Sequence, residues 1–213
     1  MTQLYIIRHG ETYFEAADRV KGQLDIPLDP RGRRQAAAVA EYFRGARASV
    51  IYSATLVRAR QTAQPIAEAT GCLVLPTPLL NERHWGVWQG LTSAELRRER
   101  ASGGMGPDHS APLGERWHTL AERVRWFLEL VARGRAGQTV IAVTHGGVIK
   151  DMVMPALGVR PTNRSAFAAE TGTVSLLEHD GRLWRSVFLN ADPTWAAGEH
   201  PPGGCVRHIR GRS

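Results

Sequence analysis

Three short apolar runs rich in β-branched residues constrain the fold of this chain more than anything else in it. They are Leu4-Tyr5-Ile6-Ile7 ahead of Arg8-His9-Gly10, Val50-Ile51-Tyr52 ahead of Ser53-Ala54-Thr55, and Val140-Ile141-Ala142-Val143 ahead of Thr144-His145-Gly146-Gly147. Short continuous apolar runs of this kind read as parallel strands buried on both faces. Segments with apolar residues at helical spacing separate them, and that alternation argues for a layered α/β domain. Open α/β sheets do their chemistry at the carboxyl ends of the strands. The runs would therefore carry Arg8, His9, His145 and an arginine from the segment after Tyr52 to one sheet edge. A guanidinium holds a phosphate through two parallel hydrogen bonds and an imidazole can act as a nucleophile, so that edge reads as a phosphate site.

The rest of the chain fills in around the sheet. Asp29-Pro30 caps a helix reaching about residue 45. A second helix spans 56–70, with an interruption expected near Pro65 and an end at Gly71. Residues 72–75 read as a strand, 76–88 as a long loop, 92–100 as a short charged helix and 101–113 as a flexible connection. The longest helix is expected over 114–133, with Trp117, Leu120, Val124, Phe127, Leu128 and Val131 on its apolar side. Another helix follows His145. Residues 173–178 and 183–189, joined through Asp180-Gly181, read as a strand pair at the sheet edge. The expected fold is an α/β/α sandwich with a mostly parallel central sheet and an antiparallel edge strand. One domain is expected over 1–190, followed by an irregular tail over 191–213.

Composition bounds the function. At 213 residues, 43% hydrophobic and 22% charged, the chain fits one sizeable domain with a full core. No apolar stretch reaches membrane-spanning length and no secretory signal opens the chain, so a cytoplasmic protein without a membrane partner is expected. Cys72 and Cys205 make no disulfide framework, and Cys72 is expected as a reduced, buried thiol. The net charge of +7 is carried almost wholly by arginine, Lys21 and Lys150 being the sole lysines. Those arginines are scattered rather than interleaved with aromatics, which argues against nucleic acid and for a surface that attracts anionic substrates. His84, His109, His118, His179, His200 and His208 show no metal-ligand spacing.

With these motifs in view, the chain resembles the histidine phosphatase superfamily, the branch that includes cofactor-dependent phosphoglycerate mutase. Further matches are Gly22-Gln23-Leu24-Asp25-Ile26-Pro27-Leu28, Gly32 with Gln35-Ala36, Ser53 to Ala63 around Arg58, Leu80-Asn81-Glu82-Arg83-His84-Trp85-Gly86, and Leu189-Asn190. The resemblance covers about residues 3–190 in family order. It implies that His9 is the nucleophile that becomes phosphohistidine and that Arg8 and Arg58 hold the phosphoryl oxygens. His145 would add a hydrogen bond that strengthens in the transition state. Glu82 stands at the position of the acid that protonates the leaving group, and Glu11 is its competitor in sequence. No metal or other cofactor is implied, because the arginines neutralise the charge. Thr12, Glu15, Gln23, Arg83 and Trp85 are candidates for the substrate pocket.

Glu15 departs from the pattern, since the family usually places an asparagine there to contact phosphate. A carboxylate facing a phosphate dianion is repelled, so Glu15 must turn away, pair with an arginine such as Arg19, or meet a cationic part of the substrate. The leading expectation is a metal-independent phosphatase of the histidine acid phosphatase type, acting on a small phosphorylated metabolite. A phosphoglycerate mutase and a weakly catalytic phosphate-binding regulator are the alternatives. A homodimer is compatible with the sequence.

Overall fold

The computed structural model describes residues 1–103, 110–159 and 167–194. Six strands form one sheet: β1 (Thr2–Arg8), β2 (Val50–Ser53), β3 (Val74–Pro76), β4 (Thr139–Thr144), β5 (Val174–His179) and β6 (Trp184–Ala191). Their order is β3-β2-β4-β1-β5-β6. The pairs β3·β2, β2·β4 and β4·β1 are parallel, whereas β1·β5 and β5·β6 are antiparallel. The fold is thus α/β with a mostly parallel sheet and an antiparallel hairpin at one edge.

Register shows how the two faces are covered. Tyr5 lies opposite Ile141, and Ile141 opposite Ile51, so these three share a face, while Ile6, Ala142 and Tyr52 share the other. On the first face Tyr5 meets Phe43 edge-on at 5.2 Å, at the end of helix α2 (Pro30–Tyr42). On the second, Tyr52 meets Phe127 at 5.4 Å on the long helix over Trp117–Gly134. Helices therefore cover both sides of the sheet.

The helices follow their local signals. Helix α1 is the single turn Tyr13–Ala16. Asp29 accepts a hydrogen bond from the Gly32 amide and Pro30 opens α2, the arrangement the sequence calls for. Helix α3 (Val57–Thr70) ends at Gly71 in the left-handed conformation. It runs unbroken through Pro65, with Ala59, Ala63 and Ile66 fully buried on either side of the proline. Packing against the sheet outweighs the one lost backbone hydrogen bond. Helix α4 (Ser93–Ala101) starts from a Thr92–Glu95 capping box.

Helix α5 (Trp117–Gly134) begins three residues later than its apolar pattern suggests. The amides of Gly114 and Glu115 bond instead to the carbonyls of Ala111 and His84, which ties the preceding loop to the segment carrying His84. Leu120, Val124, Phe127 and Val131 form its buried stripe, and truncating Phe127 would cost about 3–5 kcal/mol. Helix α6 (Gly146–Ala156) follows directly on His145.

The expected strand at 72–75 is shifted to Val74–Pro76, because Gly71 and Cys72 are taken up in leaving α3. Cys72 is half-buried rather than buried, and its thiol donates to the Ala48 carbonyl at 3.0 Å. The loop over 76–88 contains two single 3-10 turns, Pro78–Leu80 and Gly86–Trp88. Of the expected flexible connection, residues 104–109 lie outside the described residues, as do residues 195–213 of the expected tail. Among the described residues no helix is long and apolar enough to cross a membrane.

Candidate active site

The adjacent parallel strands β1 and β4 end together, and the His9 amide donates to the Thr144 carbonyl at 3.0 Å. The next residue on each chain segment is a histidine, so His9 and His145 face one another with ring centroids 5.0 Å apart. Both are buried. Two glycine backbones permit the turn after His9: a Cβ on Gly10 would lie 2.3 Å from the Gly32 carbonyl oxygen. The Gly10 amide is held by Thr62 Oγ1 at 3.1 Å.

Hydrogen bonds define the state of both imidazoles. His9 Nδ1 lies 2.7 Å from the Gly10 carbonyl, which can only accept, so Nδ1 carries the proton and Nε2 keeps its lone pair. Arg58 Nε points at that lone pair from 3.3 Å and at Nδ1 of His145 from 3.3 Å. His145 therefore carries its proton on Nε2, a buried atom with no hydrogen-bond partner among the described residues. Burial pushes the His9 pKa well below the usual imidazole value, and the Arg58 and Arg8 charges push it further. The same holds for His145, through burial first and then Arg58, His9 and Arg8. Two neutral rings thus sit among cations, one offering a nucleophilic nitrogen and the other an N–H.

Arg58, the second residue of α3, is completely buried. It donates from Nη1 to the Leu24 carbonyl and from Nη2 to the Gly22 carbonyl, each at 2.7 Å. Burial lowers its pKa to about 10, partly offset by Glu82, Glu15 and Asp25. Arg8 donates to the Ala169 carbonyl and to Glu15, while its Nε is buried and lacks a partner among the described residues. Asn190 steadies that wall by donating to the Ala168 carbonyl and accepting from the Glu170 amide.

Glu82 closes the other side. Its Oε2 accepts from the Gly147 amide at 3.1 Å, in the first turn of α6, and its Oε1 accepts from the Arg83 amide at 2.8 Å. Its loop is anchored carbonyl by carbonyl. Arg123 donates to Leu79, Thr144 Oγ1 to Leu80, and both Gln23 Nε2 and Arg123 to Glu82. Glu115 fixes Arg123 through both carboxylate oxygens at 2.7 and 2.9 Å. Above these groups opens a cleft of about 510 Å³, lined by Arg8, Glu82, Trp85, Trp117, Gly147 and Lys150 among others. Arg83 also lines it, stacked 3.7 Å from the Trp117 ring centroid and 4.7 Å from that of Trp85.

The structure brings Arg8, His9, Arg58, Glu82 and His145 together at one edge. Arg83 and Trp85 belong to the cleft wall, whereas Trp88 is buried and Arg60 is exposed. Gln23 supports the Glu82 loop from behind. Thr12 is fully buried and forms with Glu15 the capping box of α1. Glu11 faces elsewhere, paired with Arg31 at 3.2 Å, which leaves Glu82 without that competitor. Glu15 does not pair with Arg19, which reaches the Gly90 carbonyl. Its partners are Lys21 and Arg8. Burial alone would raise the Glu15 carboxyl pKa, but the Lys21 charge and the bonds from Lys21 and Thr12 outweigh it and hold it below the ordinary carboxylate value. Lys21, Glu115 and Arg123 are structural participants that the motifs do not mark, and Thr62 lies within the segment around Arg58 without being singled out.

Known proteins are similar to this chain over most of its length. A probable phosphoglycerate mutase, GpmB, of Serratia proteamaculans is 32% identical over 189 residues, covering 86% of this chain and 88% of its own. A metal-independent phosphoserine phosphatase of Arabidopsis thaliana is 38% identical over 158 residues, 70% of this chain and 66% of its own. Among solved structures, a mycobacterial glucosyl-3-phosphoglycerate phosphatase in complex with VO3 superposes with a TM-score of 0.77 at 31% identity, covering 89% of this chain and 98% of its own. The sequence profile of the histidine phosphatase superfamily, branch 1, matches residues 4–192, and the chain belongs to that superfamily.

Proposed function

We propose that the protein is a metal-independent phosphoric monoester hydrolase that works through a phosphohistidine, as histidine acid phosphatases do. The observation that carries this reading is the pair of buried neutral imidazoles sharing Arg58 Nε, with Glu82 on the α6 N-terminus beside them. His9 Nε2 attacks the phosphorus, the bond from phosphorus to the ester oxygen breaks, and Glu82 gives its proton to that oxygen. Arg8, Arg58 and the His145 Nε2–H hold the equatorial oxygens, where charge builds. Water then attacks the phosphohistidine, Glu82 takes the proton, and inorganic phosphate leaves with His9 restored.

The substrate is a small phosphorylated metabolite, in keeping with a 510 Å³ cleft and with the relatives' names, which include phosphoserine and glucosyl-3-phosphoglycerate phosphatases. The mutase reading has the GpmB names behind it. Against it stands the composition of the cleft wall, where Trp85, Trp117, Ala168 and Ala169 are apolar and Arg83 and Lys150 are the cations beyond Arg8. Arg83 is committed to the Glu115 carbonyl and Ser110 Oγ, each at 2.8 Å.

One preparation, without added metal, should be assayed for phosphate release from a panel of monoesters. The same preparation should be assayed for interconversion of 2- and 3-phosphoglycerate with the bisphosphate primer. Hydrolysis should dominate, with label trapped on His9 after brief exposure to substrate. Faster isomerisation would assign a mutase, and binding without trapped label would assign the regulator.

A further inference from the structure

Glu15 lies where a negative charge should harm a phosphate site, yet it is built in rather than turned away. Its Oε2 is fixed by the Thr12 amide at 3.0 Å and by Thr12 Oγ1 at 2.6 Å, and Thr12 is fully buried. That leaves Oε1, which accepts from Arg8 Nη2 at 3.3 Å and from Lys21 Nζ. The side chains of Lys21 and Glu15 are only 15% and 21% exposed, so this is not a solvated surface pair. Lys21 leads directly into Gly22 and Leu24, whose carbonyls hold Arg58. The Lys21 charge also acts on His9. One carboxylate oxygen is therefore shared by two cations, and the backbone beside the second cation carries a third.

We propose that Glu15 and Lys21 form a charge relay within the phosphate cradle, in which Lys21 is an additional phosphate-binding cation and Glu15 its positioning partner. In the substrate-free protein Oε1 stands in for an anion and keeps Arg8 and Lys21 gathered around the site. A phosphoryl group brings stronger acceptors and draws both cations away from Oε1. Counting Arg8, Arg58, Lys21 and Glu15, the cradle then presents a net charge of +2 to the incoming dianion, the same as two arginines alone, but with one more donor group. Glu15 remains fixed by Thr12 throughout, so it returns the cations to place when phosphate leaves.

This inference rests on the phosphatase reading, and orthovanadate inhibition separates the two. If the wild-type protein does not bind orthovanadate, the phosphate-site reading itself fails. The pair is tested by the sign of the change in its variants. Lys21→Gln should weaken orthovanadate inhibition by roughly tenfold, the scale of one lost charge-assisted contact. Glu15→Gln should strengthen it severalfold, because Arg8 and Lys21 lose the competing oxygen while the amide still caps α1. The double variant should return to within about threefold of wild type, and Lys21→Arg should keep wild-type inhibition. A merely structural pair gives a different pattern, with both single variants weakening inhibition alike and losing thermal stability together. That pattern, or unchanged inhibition in Lys21→Gln, would overturn the proposal. Lys21→Arg keeps the test decisive should Lys21→Gln fail to fold, since a change of more than tenfold in that variant also counts against a charge role.

Discussion

Replacing Gly147 by alanine places a Cβ 2.3 Å from Glu82 Oε1, more than an ångström inside ordinary contact, which begins at 3.4 Å. The clashing atom is the end of a flexible carboxylate rather than backbone, so the fold should yield by moving Glu82, with little loss of stability. The catalytic effect should be larger. Glu82 now rests on the Gly147 amide, and a proton donor pushed off that seat loses its aim at the leaving oxygen. General acid catalysis contributes about 10²–10⁴ in rate, and a displacement near 1 Å forfeits about 10² of it, or roughly 2.7 kcal/mol. We therefore expect kcat to fall about a hundredfold for alkyl phosphates. Orthovanadate inhibition and the melting temperature should stay near wild type, because the nearest atoms to the new methyl all belong to the Glu82 carboxylate. The discriminating assay compares leaving groups: a nitrophenyl phosphate, whose phenolate departs without protonation, should lose less than tenfold. Equal losses for both ester classes would refute Glu82 as the acid seated by Gly147.

Three further outcomes follow from the same geometry. His9→Ala should abolish turnover and phosphate trapping while the protein still unfolds cooperatively, and more than a few per cent residual activity would sink the phosphohistidine route. Because His9 and His145 have folded pKa values well below 6.5, the unfolded chain binds protons there that the folded protein refuses. Stability should thus fall as pH drops below 6.5, by up to about 1.4 kcal/mol per pH unit for each histidine. Urea titrations at pH 6.5 and 5.5 should show that slope, and it should flatten in the double variant His9→Gln/His145→Gln. Gly10→Ala drives a Cβ to 2.3 Å from the backbone oxygen of Gly32, where nothing flexible can give way. Roughly 3 kcal/mol of stability should be lost, read as a lower melting temperature, and an unchanged melt would show that the turn can open.

The sheet and the residues gathered at its edge were legible in the sequence because both depend on local signals. Buried parallel strands must be apolar throughout, so the runs ending at Ile7, Tyr52 and Val143 stand out, and the residues after them are committed to one edge by topology. Glu82 was legible through its motif rather than through physics, since an acid in a loop looks like any other. What was hidden depends on contacts between segments distant in the chain. Arg123 reads as part of the polar face of α5 until the loop carrying Leu79 and Glu82 is docked against it. Lys21 has no periodicity to mark it, and the arginine that its partner Glu15 meets is Arg8 rather than Arg19, because a helix cap fixes the carboxylate on that side. The start of α5 was misplaced for a similar reason. Apolar spacing cannot show that the Gly114 and Glu115 amides are claimed by a neighbouring loop.

The placement of the two histidines on neighbouring strands has a consequence for how this protein dies. His9 and His145 are 136 positions apart, and they meet because β1 and β4 lie side by side in the middle of the sheet. Central strands open with the global unfolding event rather than by local fraying. Turnover should therefore persist through denaturant until the cooperative transition and vanish with it. Fragments that end before β4, whether from incomplete synthesis or from proteolysis, carry His9 and Arg58 but no opposing imidazole. Such fragments would lack phosphatase activity, so turnover would report folded chains that extend through β4 and His145.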